Sequence, residues 1–169
     1  VDLDLAENDL NGEIPVEIGN LTQACGSIRL YLNALDATNP VLVTFLDNCA
    51  DWTPQVSPPQ NVTILNSDGR FATVGWDPVI GLPEGGNYEI LISGSPSGPF
   101  ERVPSTATLF DLHANYAVAG PLEPLTDYYL AVRTVLYPVV NGSWNWNDKN
   151  TVVSWLSPPL LVSTGPAGE

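Results

Sequence analysis

The chain reads as mainly β: one coil of a solenoid, a small α-helical cap, then a seven-stranded two-sheet β-sandwich. Three observations predict this. Apolar residues recur at fixed offsets from Leu3 to Leu21. Two stretches of helical period follow, up to Cys49. Beyond Asp51 prolines become frequent, and apolar residues alternate in short runs between turn signals. The clearest run is Leu122–Tyr137, LEPLTDYYLAVRTVLY. Tyr128, Leu130, Val132, Thr134 and Leu136 share one face of an extended strand, and Tyr129, Ala131, Arg133 and Val135 share the other.

Residues 3–21 read LDLAENDLNGEIPVEIGNL. Leu3 and Leu5 point inward from a short strand, Asn8 satisfies backbone groups where the chain turns, and Gly12 permits the bend. Ile14, Ile18 and Leu21 extend the apolar wall. This pattern resembles one leucine-rich repeat of the type found in plant receptors and in secreted bacterial proteins. A single repeat cannot bury its own apolar face, and stacking needs about three. The resemblance therefore implies further repeats before Val1. With no Met anywhere, the chain is also expected to be a processed or excised piece of something longer. Asp2, Asp4 and Glu7 fall on or near the concave face that such repeats use for binding. They read either as a site for a basic peptide or as solvated carboxylates. A calcium site from Asp2, Asp4, Glu7 and Asp9 has the wrong spacing for an EF-hand loop.

Residues 22–53 form the expected cap. Ala24, Ile28, Tyr31, Leu32 and Leu35 recur at helical spacing, and Val41, Leu42, Phe45, Leu46 and Cys49 do so again. Asn39 is placed to cap the second helix, with Pro40 in its first turn. Two antiparallel helices bring Cys25 beside Cys49. An even cysteine pair without CxxC spacing fits a disulfide in an oxidising compartment, worth about 3 kcal/mol by loop entropy. Asp51–Pro59, DWTPQVSPP, is the boundary, with Trp52 packed at the junction.

Residues 54–165 form the expected sandwich, leaving 166–169 as a tail. Asn61–Leu65 is its first strand. Phe71–Trp76 is the second, with Ala72, Val74 and Trp76 inward. Asn87–Ile92 is the third, with Tyr88, Ile90 and Ile92 inward. A turn-rich loop covers Ser93–Pro99, Phe100–Ala119 holds two short strands, and the last strand lies near Leu156–Thr164. Several features resemble a fibronectin type III domain: Val74-Gly75-Trp76-Asp77-Pro78, the corner residues Leu122, Pro124, Thr126 and Tyr128, and Ser157-Pro158 followed by Val162 and Thr164. The corner implies a Tyr128 hydroxyl bonded to upstream backbone. An immunoglobulin domain would place cysteines in the sandwich, where this chain has none. The segment Pro138–Trp155 is longer than the family pattern and rich in tryptophan.

A net charge of -14 with five basic residues argues against nucleic acid and against anionic lipid. No run reaches about 18 apolar residues, so no membrane insertion is expected in this fragment. His113 is the single histidine, and no H-x-x-x-H, CxxC, G-x-S-x-G or P-loop occurs. No enzyme, cofactor or metal site is expected. Trp144 and Trp146 alternate and share a face in an extended segment, with Trp155 following. They read either as a platform for a protein or sugar ligand or as residues folded back over the sandwich. Asn20, Asn61 and Asn141 open sequons. The expected function is a non-catalytic extracellular or cell-surface interaction and adhesion fragment with a protein or peptide ligand. The alternatives are a polysaccharide-binding accessory module of a secreted enzyme, and a self-associating subunit of a surface assembly.

Overall fold

The computed structural model describes residues 2–83, 85–105, 111–138 and 150–166. The chain begins with three stacked coils. Strand β1 (Leu3–Asp4) leads to β2 (Asn11–Glu13), and a 3-10 turn over Val16–Asn20 follows. The second coil carries β3 (Ile28–Arg29) and β4 (Ala34–Asp36). Helix α1 (Pro40–Cys49) then returns the chain to β5 (Ala50–Asp51). Strands β1, β3 and β5 pair in parallel, Leu3 opposite Ile28 and Ile28 opposite Ala50, and β2 pairs in parallel with β4.

A helix expected over residues 24–35 is therefore replaced by the second coil. Ile28, Leu30, Leu32 and Ala34 alternate, and all four are buried. That period-2 pattern competes with the helical spacing of Ala24, Ile28, Tyr31 and Leu35. It wins because backbone groups find partners on the neighbouring coils: Leu3 N–H bonds Ser27 O, Leu5 N–H bonds Arg29 O, and Leu30 N–H bonds Asp51 O. The one α-helix among the described residues is α1. Asn39 Oδ1 accepts from Val41 N–H at 2.9 Å and Leu42 N–H at 3.2 Å, with Pro40 in the first turn. Cys25 and Cys49 are disulfide-bonded, with Cα atoms 4.3 Å apart. The bond ties the turn before β3 to the end of α1, and so closes the second coil instead of a helical hairpin.

Side-chain amides stitch the coils together. Asn33, fully buried, donates to Leu5 O at 2.8 Å, Leu30 O at 2.9 Å and Tyr31 O at 3.3 Å, and its Oδ1 accepts Leu10 N–H at 3.1 Å. One coil later Gln55 repeats the pattern, donating to Leu30 O and Trp52 O while accepting Leu35 N–H. Asn8 holds the equivalent place in the first coil and bonds Leu5 O and Ala6 O. Gly12 sits at φ 96°, a conformation that a side chain would disfavour at this bend.

The sandwich comprises β6 (Gln60–Ser67), β7 (Ala72–Asp77), β8 (Gly86–Ser93), β9 (Glu101–Arg102), β10 (Tyr116–Ala119), β11 (Asp127–Leu136), β12 (Val152–Val153) and β13 (Leu160–Ser163). One sheet has the order β10-β7-β6. In the other, β11 is flanked by β8 on one edge and by both β12 and β13 on the opposite edge, with β9 beyond β8. The described strands thus number eight where seven were expected, because the last one is split. Pro158 and Pro159 have no N–H to give the ladder. Ser157 and Ser154 hydroxyls accept the N–H groups of Val132 and Thr134 in its place, each at 3.0 Å. Phe100–Ala119 holds the two short strands expected there, β9 and β10.

Trp76 and Tyr88 pack with ring centroids 5.0 Å apart. The Trp76 indole donates to Ala114 O, and the Tyr88 hydroxyl donates to Leu112 O. Tyr128 Oη accepts Glu123 N–H at 3.2 Å, forming the expected corner. Leu32, Ala34 and Val56 belong to this same core with Leu130, Val132 and Val152, while Ile14, Ile28, Leu30, Leu42 and Leu46 form a second core inside the coils. The sandwich is therefore built onto the last coil and shares its interior.

Asn33→Leu should lower the unfolding free energy by about 3 kcal/mol in a denaturant titration, because it strands buried carbonyls and the Leu10 N–H. Asn8→Leu should cost less than about 1 kcal/mol, because its amide is less buried and bonds carbonyls only two and three residues away. Gly120→Ala should be destabilising by more than about 2 kcal/mol, since Gly120 has φ 146° and an added Cβ would lie 2.6 Å from Arg70 O.

Candidate functional site

Two surfaces collect the side chains singled out by the sequence. The first is the outward face of β1, β3 and β5, which presents Asp4, Arg29 and Asp51, with Tyr31 one step beyond β3. Asp4 and Arg29 are register partners and meet at 3.5 Å, an exposed contact that contributes little. Asp4, Glu7, Asn8 and Tyr31 line a cleft of about 320 Å³. Glu7 is held there in a left-handed conformation, φ 58°, and its N–H bonds Tyr31 O. Burial, then Glu7, Asp4 and Asp51 in turn, push the Tyr31 hydroxyl above its ordinary pKa, with Arg29 opposing. Asp2 is exposed at the start of this face.

The second surface is the junction between coils and sandwich. Trp155 lies there, 40% exposed, and lines two clefts, one between coils and sandwich and one on the sandwich. Asn150 reaches from the sandwich to Glu7 O at 3.4 Å and Asn8 Oδ1 at 3.5 Å. Trp144, Trp146 and the sequon residue Asn141 lie outside the described residues. Asn20 and Asn61 are both exposed, and the Asn61 amide donates to Asp77 Oδ2 at 2.7 Å.

Among the described residues, no group of three or more His, Cys, Asp or Glu could hold a metal ion. His113 is exposed and its N–H bonds the Asp111 carboxylate. Glu89 is buried on the outer face of β8 and is paired with Arg133 at 2.7 Å and Arg102 at 3.0 Å. Sequence reasoning missed this triad, though Glu89 and Arg133 both fall on the outward positions of strongly alternating runs. It fastens β8 to its neighbours β9 and β11. No described helix is long and apolar enough to cross a membrane.

No family model matches the chain, and no curated protein matches it. Among solved structures it is similar to several fibronectin type III domains. One, derived from the human KIAA0970 protein, gives a TM-score of 0.45 at 18% identity over 68% of this chain and 75% of that one. The domain of the human collagen alpha-1(XX) chain gives 0.44 at 15% identity, over 69% and 92%. That of human contactin 1 gives 0.44 at 15% identity, over 67% and 81%.

The raised hydroxyls of Tyr31 and Tyr88 carry a sign for pH dependence. Burial is the largest cause for both. Each is held neutral to higher pH in the folded chain than in the unfolded one. The stability this adds is complete below a pH of about 10 and is lost as pH rises through the folded values. A spectrophotometric tyrosine titration should show Glu7→Gln lowering the Tyr31 midpoint, with Tyr31→Phe identifying its contribution.

Proposed function

We propose that the chain is a non-catalytic, extracellular protein-interaction fragment. In this reading leucine-rich-repeat-like coils present the binding surface, and a fibronectin type III-like sandwich braces it. The in-register coils and their amide ladder support the first part. The strand order of the two sheets and the Tyr128 corner support the second. The disulfide between Cys25 and Cys49 favours an oxidising compartment.

One observation carries the binding assignment: the outward strand face gathers Asp4, Glu7 and Asp51 around Tyr31, with Arg29 as the counter-charge. Such a face is complementary to a basic segment of a partner protein, and the net charge of -14 steers such a partner toward it. Tyr31 adds an amphipathic aromatic contact at the centre.

Fluorescence anisotropy with a labelled oligo-arginine peptide tests this. Asp4→Asn with Glu7→Gln should weaken binding about fivefold to tenfold, and added salt should weaken it further, as expected for rim charges. Equal binding of an oligo-glutamine peptide, or no effect of the double substitution, would refute the assignment.

A further inference from the structure

Trp155 sits between β12 and the prolines that precede β13, where the coils meet the sandwich. Its neighbours Ser154 and Ser157 are buried, yet its own side chain is left half open. The indole lines two clefts. One, of about 410 Å³, is bounded by Asn11, Glu13 and Asp36 on the coils and by Val153 on the sandwich. The other, of about 450 Å³, is mostly apolar and is bounded by Pro58, Pro59, Pro158 and Leu160.

Glu13 and Asp36 are register partners on the parallel strands β2 and β4. Their backbones therefore lie about 4.8 Å apart. Both side chains line the cleft. One oxygen of Glu13 is tied down by the Thr38 N–H and hydroxyl, at 2.8 and 2.9 Å, and one of Asp36 by the Ala37 N–H at 2.8 Å. Among the described residues the ion pairs lie elsewhere, on Asp4 and Glu89. A cation entering the cleft would meet both carboxylates and the indole, the best aromatic partner for a positive charge. The neighbouring proline-lined cleft supplies apolar contact for the residue next along.

We infer that this double cleft binds a partner protein's peptide segment, an arginine or lysine side chain entering beside Glu13, Asp36 and Trp155 and an apolar residue resting among the prolines. The inference rests on the reading of the chain as a protein-binding fragment, but it uses a surface separate from Asp4 and Glu7. Leu32, Ala34 and Val56 lock the coils against the sandwich, so both walls of the cleft are in place before the ligand arrives. Preformed walls lower the ordering cost of binding.

The test uses the whole oxidised chain with isotope-labelled indoles. The probe is a short capped peptide alternating arginine and proline, together with its citrulline counterpart, which keeps the shape and loses the charge. Trp155→Phe identifies the Trp155 indole resonance. The arginine peptide should shift that resonance, and the citrulline peptide should bind at least about tenfold more weakly. Glu13→Gln with Asp36→Asn should weaken the arginine peptide by about tenfold and leave the fold intact, since each amide keeps an oxygen to accept the Thr38 and Ala37 bonds. Asp4→Asn with Glu7→Gln should leave the Trp155 shift unchanged. Equal affinity for the two peptides, or a Trp155 resonance that does not move, overturns the inference. Binding that depends on Asp4 and Glu7 while Trp155 stays unmoved overturns it alone and leaves the strand-face assignment standing.

Discussion

The buried amide of Asn33 is the constraint on which the rest depends. It satisfies carbonyls of two coils and one N–H of the first, while its own carbonyl accepts Val56 N–H from the third. Its sequence neighbours Leu32 and Ala34 point the other way, into the sandwich core. One residue thus sits at the seam of both hydrophobic interiors. A buried side-chain amide with every polar atom engaged specifies its surroundings tightly, because any shift leaves a group unpaired in a low-dielectric interior.

The sandwich was legible because its signals are local. Alternation in Leu122–Tyr137 gave β11 nearly to its ends, and Trp76, Tyr88 and Tyr128 all pack where their spacing puts them. The first coil was legible in part: Asn8 and Gly12 mark its turns and Ile14 is buried, but Leu5 and Leu21, expected to face inward, are each 38% exposed. The second coil was not. Ile28, Tyr31 and Leu35 satisfy a helical period by coincidence, and what decides against a helix is hydrogen bonding to neighbours about 25 residues away. Single-segment periodicity contains no such term. The disulfide pairing was reached through a helical hairpin that does not exist, and holds because closing a coil brings the same two residues together.

The candidate sites divide along the same line. The sequence placed Asp2, Asp4 and Glu7 on or near one concave face; the structure brings Asp4 and Glu7 to a common cleft. Tyr31 joins them only through the second coil, and its pairing with Glu7 is a contact between coils. Trp155 stood out by residue type, but Glu13 and Asp36 carried no distinguishing signal. Their juxtaposition exists only once β2 and β4 are laid side by side and the sandwich is folded against them.

The shared interior has a consequence for anyone cutting this chain apart. A scissor placed in the proline-rich stretch before β6 looks natural on paper, yet it would strip Leu32, Ala34 and Val56 from the sandwich and leave a greasy wound on each half. The two pieces would meet solvent with the surface they now hide from it, and would clump or reassociate before behaving as separate modules. What joins the coils to the sandwich is packed interior as well as covalent chain.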